Sequence, residues 1–121
     1  MEERVEKWIE QAEKDLETAE NLFEAEDFEP MIFRLQQAVE KIFKAFHIKK
    51  TGEYPYTHNL RKLNTKINVP KDFENLLSEL DASYTTSRYP ETAEELQIEN
   101  PDKKLSQTKE IIKWIKKQLK K

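Results

Sequence analysis

Between Met31 and Phe46, the apolar residues Ile32, Leu35, Ala38, Val39, Ile42, Phe43, Ala45 and Phe46 recur at helical spacing. On a helical wheel they cover an arc of roughly 160°. A helix lying on a protein surface needs a stripe of only about 100°. An arc this wide has to be covered from more than one side, so the stretch predicts a central helix enclosed by others. The rest of the chain supplies them. Val5, Trp8, Ile9, Ala12, Leu16, Ala19 and Leu22 make one stripe over residues 2 to about 26. Phe73, Leu76, Leu77, Leu80 and Tyr84 make a second, and Leu105, Thr108, Ile112, Ile115 and Leu119 a third. Spacings of three and four throughout are the helical period.

The breaks between these stripes are equally legible. Asp27 stands where the central helix should be capped, and Pro30 is tolerated in a first turn. Lys49 to Tyr56 holds the only glycine of the chain and one of its five prolines, and reads as a loop. A short helix is expected from Asn59 to about Lys66, then a break at Asn68-Val69-Pro70 and a new helix near Lys71. Thr85 to Asn100 is polar and reads as a second long loop. Asn100-Pro101-Asp102 is a helix start: a capping residue, a proline at the first position, and an acid near the positive end of the dipole. The expected fold is all-α, an up-and-down helical bundle of four main helices plus one short helix, in a single domain over residues 1–121.

Composition narrows the function classes. Without cysteine there is no disulfide framework, thiol nucleophile or thiolate zinc site. The acidic start Met1-Glu2-Glu3-Arg4 leads into no apolar run of signal-peptide type, and no window approaches the ~20 apolar residues needed to span a bilayer. A cytoplasmic protein with no membrane partner is therefore expected. The net charge of −3 conceals segmentation: about −9 over residues 1–29, +7 over 30–71, −7 over 72–99 and +6 over 100–121. Acidic and basic helices alternating in this way can pack as complementary neighbours, or expose a basic surface suited to phosphate.

Several side chains could carry chemistry. Arg34, Gln37, Lys41 and Lys44 share an arc of ~80° on the central helix, where cations can hold a phosphate or RNA backbone or pair with nearby acids. His58 precedes the short helix; an imidazole there can serve as a base, bind phosphate, or simply cap the helix. Arg88 follows the fourth helix, with Pro90 holding Tyr89 extended, and can bind an anion or the carbonyls at that helix end. With only two histidines, His47 and His58, no metal site is expected, and nothing calls for a cofactor. Lysines 113, 116, 117, 120 and 121 suit a helix C-terminus and give solubility or, more sharply, a contact with nucleic acid.

Three segments carry a family resemblance over nearly the whole chain: Gln37-Ala38-Val39-Glu40-Lys41-Ile42-Phe43-Lys44-Ala45, then Thr57-His58-Asn59-Leu60, then Ser87-Arg88-Tyr89-Pro90. In this order within a helical pattern they resemble a HEPN domain (higher eukaryotes and prokaryotes nucleotide-binding). The resemblance implies a helical bundle, commonly dimeric, of a kind often paired with a minimal nucleotidyltransferase as a toxin–antitoxin couple. It implies nucleotide or phosphate binding at Arg34, Lys41, Lys44, His58 and Arg88. Ribonuclease members carry an Arg, four to six residues, then a His. Neither His47 nor His58 has an Arg at that distance, and Lys41 before His47 cannot supply the planar guanidinium fork. The sequence therefore points to a non-catalytic, homodimeric binding module with no catalytic residues. A divergent ribonuclease using His58 and Arg88, and a helical interaction module without nucleotide, are the alternatives.

Overall fold

The computed structural model describes residues 2–87 and 98–121. Helix α1 spans Glu3–Glu24, α2 Phe28–Thr51 and the short α3 Leu60–Asn64. A single 3-10 turn at Lys71–Phe73 leads into α4, Glu74–Ser87, and α5 spans Pro101–Leu119. Among the described residues this is the expected all-α bundle of four main helices and one short one. No helix among the described residues is long and apolar enough to cross a membrane.

The up-and-down course follows from side-chain pairs that join opposite ends of neighbouring helices. Arg4 at the start of α1 donates to the Gly52 carbonyl at the end of α2. Asp15, further along α1, meets Arg34 and Lys41. Phe33 near the start of α2 stacks on Tyr84 in the last turn of α4. Lys109 and Lys116 of α5 pair with Glu20 and Glu13 of α1 in reverse order. The acidic first helix thus lies between two basic ones, the complementary packing that the charge segmentation anticipates.

α2 is the centre, as its apolar arc requires, but burial extends further around it than that arc. Besides the apolar set, Gln36, Glu40, Lys44 and His47 are buried. They form a row at i+4, i+4 and i+3, which widens the covered sector by roughly another 100°. Each of the four has an internal hydrogen-bond partner, as polar groups inside a low-dielectric core must.

One boundary differs from the sequence expectation. α2 continues through Lys49, Lys50 and Thr51, because Ile48 is still buried and cations in a last turn favour the helix dipole. The stop is Gly52, which takes a left-handed φ of 85° and donates its N–H to Ile48 O at 2.8 Å, the usual glycine termination. A Cβ built on Gly52 would touch nothing within 4 Å. Gly52→Ala should therefore lose about 1 kcal/mol from backbone strain alone. A urea midpoint equal to that of the parent would count against a left-handed residue here.

Capping also departs from expectation. α5 does begin at Pro101, but Asn100 adopts a left-handed φ of 49° and its side chain makes no capping bond; Asp27 likewise caps by position only. α3 is capped twice over instead. Asn59 accepts from the Lys62 N–H at 2.8 Å, and Asp81 of α4 accepts from the Leu60 and Arg61 N–H groups at 2.8 and 3.3 Å. A five-residue helix could not hold its own orphan donors; α4 holds them for it.

Candidate functional site

The candidate cations divide between two buried carboxylates. On the flank of α2 that faces α1, Asp15 receives Arg34 Nη1 at 3.0 Å and Lys41 Nζ at 2.6 Å. Asp15 interrupts an otherwise apolar series, Val5, Trp8, Ala12, then Asp15, Ala19 and Leu22, at alternating spacings of three and four. A carboxylate at such a position must face inward, and two cations on α2 meet it there. That interruption is the signal by which sequence reasoning, which passed over Asp15, could have found it.

The second centre is Glu40. Lys44 Nζ donates to Oε2 at 2.9 Å, Gln36 Nε2 to Oε1 at 3.1 Å, and His58 Nδ1 stands 3.1 Å from both oxygens. A carboxylate can only accept, so His58 carries its proton on Nδ1 and turns Nε2 away from Glu40. Gln36 also donates to the His58 carbonyl at 3.0 Å, and Gln37 donates to Gln36 Oε1 at 2.7 Å. The loop before α3 is thereby tied to α2 through both its backbone and its imidazole. Lys44 is enclosed further by aromatic rings: its ammonium lies 5.1 Å from the Tyr54 centroid and 5.9 Å from that of Trp8, a cation–π arrangement strengthened by burial.

Exposure separates these residues. The Lys44 and Glu40 side chains are only 7% and 6% exposed, so Lys44 sits within the bundle and not on a solvent-facing arc with Arg34 and Lys41. Its charge neutralises Glu40. Arg34 keeps 44% of its side chain exposed and His58 56%, which leaves both able to reach a molecule in solution. His58 also packs its ring 5.4 Å from that of Tyr84. The structure thus brings His58 and Lys44 together on Glu40, and Arg34 and Lys41 together on Asp15. Arg88 lies outside the described residues.

His47 is buried about a turn before the end of α2, with Nε2 2.9 Å from Leu63 O. Among the described residues, no group of three or more His, Asp or Glu side chains is placed to hold a metal ion.

The architecture recurs in known proteins. The HEPN domain model matches residues 5–118. The crystal structure of ST0689, an archaeal HEPN homologue, is 31% identical, with a TM-score of 0.76 over 95% of this chain and 97% of its own. TT1696 from Thermus thermophilus is 22% identical and shares the fold, with a TM-score of 0.79 over 96% of this chain and 98% of its own. No curated protein matches the chain. With its central Glu-Lys-x-x-Lys helix, its Thr-His-Asn-Leu segment and a family match over almost its full length, the chain belongs to the HEPN domain family.

Proposed function

We propose that this protein is a non-catalytic HEPN binding module, homodimeric and cytoplasmic, that works beside a minimal nucleotidyltransferase as half of a toxin–antitoxin-like pair and holds a nucleotide phosphate through Arg34 and His58. The observation that carries this reading is the Glu40 centre. Its buried carboxylate fixes the His58 ring by Nδ1 and leaves Nε2 outward, while the buried Lys44 balances the charge. A ring held in this way offers one directed hydrogen bond to a ligand without reorganising. Arg34, pinned through one nitrogen to Asp15, retains further guanidinium donors for an anion. The family's Arg-to-His ribonuclease spacing is absent, which favours binding over cleavage.

Sedimentation equilibrium is expected to give a dimer at micromolar concentration, and calorimetric titration with ATP to give saturable binding. Arg34→Ala and His58→Ala should each weaken that binding about tenfold, the worth of a charge-assisted hydrogen bond, with little change in melting temperature. The chain isolated from its native host should carry a protein with a Gly-Ser and two spaced Asp. A monomer at all concentrations, or no ATP binding by the dimer, would defeat the reading. One observation favours a second reading: a carboxylate-oriented, half-exposed imidazole is also the geometry of a general base. Degradation of RNA by the parent but not by His58→Ala would establish that divergent ribonuclease instead.

A further inference from the structure

A groove of about 730 Å³ opens at the C-terminal end of α2, between the last two turns of that helix, the loop after it and Lys66. Of its lining residues only Tyr54 also touches the Glu40 centre, where its ring covers the Lys44 ammonium. Its volume falls in the range of small-molecule sites, roughly 300–1,000 Å³. Phe46, Tyr54 and Pro55 give it apolar walls, and Lys50 and Lys66 bring two cations to it. Neither lysine has a carboxylate partner among the described residues, and the Lys50 ammonium is held 5.5 Å from the Phe46 ring centroid. The walls are pre-formed. Gly52 closes the helix with a bond to Ile48 O, Thr51 Oγ1 lies 2.9 Å from both His47 O and Glu53 O, and Tyr54 packs edge-on against Trp8 at 5.0 Å.

His47 supplies the second, independent observation. The residue is 5% exposed. Leu63 O can only accept, so the 2.9 Å contact places a ring proton on Nε2; in the singly protonated imidazole Nδ1 is then the acceptor. Nδ1 has no partner among the described residues, yet no fully buried side-chain nitrogen or oxygen among those residues lacks one. Nδ1 is therefore not sealed off by the protein, and His47 is one of the residues that line this groove.

We infer that the groove is a binding site for a planar aromatic ring that carries both an N–H donor and an anionic group. The ring packs against Phe46, Tyr54 and Pro55, the N–H donates to His47 Nδ1, and Lys50 and Lys66 take the anion. This goes beyond the proposed function and does not depend on it: the site needs neither Arg34, His58 nor a partner protein.

Anthranilate, which has the ring, an amine donor and a carboxylate and is fluorescent, is the direct probe, and 4-aminophenyl phosphate tests the same chemistry with a phosphate. Benzoate lacks the donor and aniline lacks the anion. Titration of the full chain should show both two-function probes binding at least tenfold more tightly than benzoate or aniline; whichever of the two binds better identifies the natural anion. Lys50→Ala and Lys66→Ala should each weaken anthranilate three- to tenfold, whereas Lys71→Ala, outside the groove, should not. His47→Gln keeps an amide N–H for Leu63 O but removes the acceptor at the Nδ1 position. It should bring anthranilate affinity down to that of benzoate while leaving benzoate unchanged. Should that variant unfold, the ¹⁵N shift of His47 Nδ1 in the parent, expected to move with anthranilate and not with benzoate, decides the same point. Equal affinity for anthranilate and benzoate, or undiminished binding in the Lys50→Ala, Lys66→Ala double variant, overturns the assignment.

Discussion

Ile42→Asp is expected to abolish cooperative folding. Ile42 is fully buried at the middle of the α2 apolar arc, in the helix against which α1, α3, α4 and α5 all pack. The substitution removes an aliphatic side chain, at a loss of about 2–5 kcal/mol, and places a carboxylate where no donor awaits it, at a further cost of several kcal/mol. Together these rival the whole stability of a domain, ~5–15 kcal/mol. Circular dichroism should show no cooperative thermal transition. A melting temperature near that of the parent would mean that α2 presents a different face to the core.

Glu40→Ala should have the next largest effect, about 3–5 kcal/mol, since it leaves the Lys44 ammonium buried and without its counter-charge. The companion variant separates pairing from packing. In Glu40→Leu/Lys44→Met both charges go and similar volume returns, and such replacements are often neutral or stabilising. His58, more than half exposed, can then be hydrated, and Gln36 keeps its bond to the His58 carbonyl. The double variant should therefore unfold in urea close to the parent, while the single one unfolds far earlier. If the two lose the same stability, the Glu40–Lys44 pair is not what holds this flank of α2 together. Both variants release the His58 ring, so both should weaken any ligand that needs Nε2 held outward, and the double variant would show that loss without instability.

The row Gln36, Glu40, Lys44, His47 shows why the fold was more legible than the site. Apolar spacing declares which face of a helix is inside, because water expels those side chains wherever the neighbours happen to lie. The four stripes and the proline starts therefore placed the helices, while the end of α2 at Gly52 lay beyond the end read from the stripe. A buried polar side chain carries no such mark. Lys44 looks like any lysine on a charged face until Trp8, Tyr54 and Glu40 are seen around it, and those partners come from three separate segments.

Asp15 makes the intermediate case. Its place in the alternating series of α1 says that it faces inward; only the packing of α2 against α1 says that Arg34 and Lys41 are there to receive it. For His58 and His47 even orientation was open, since a loop histidine can cap, bind or float, and a histidine near a helix end can turn either way. Glu40 settles the first through Nδ1 and Leu63 O the second through Nε2. The sequence by itself determined that this chain forms a helical bundle around residues 31–46, because hydrophobic period is a local property. Tertiary structure alone decided which cations are counter-ions and which imidazole nitrogens the protein holds, because pairing energies depend on distance and burial between residues far apart in the chain.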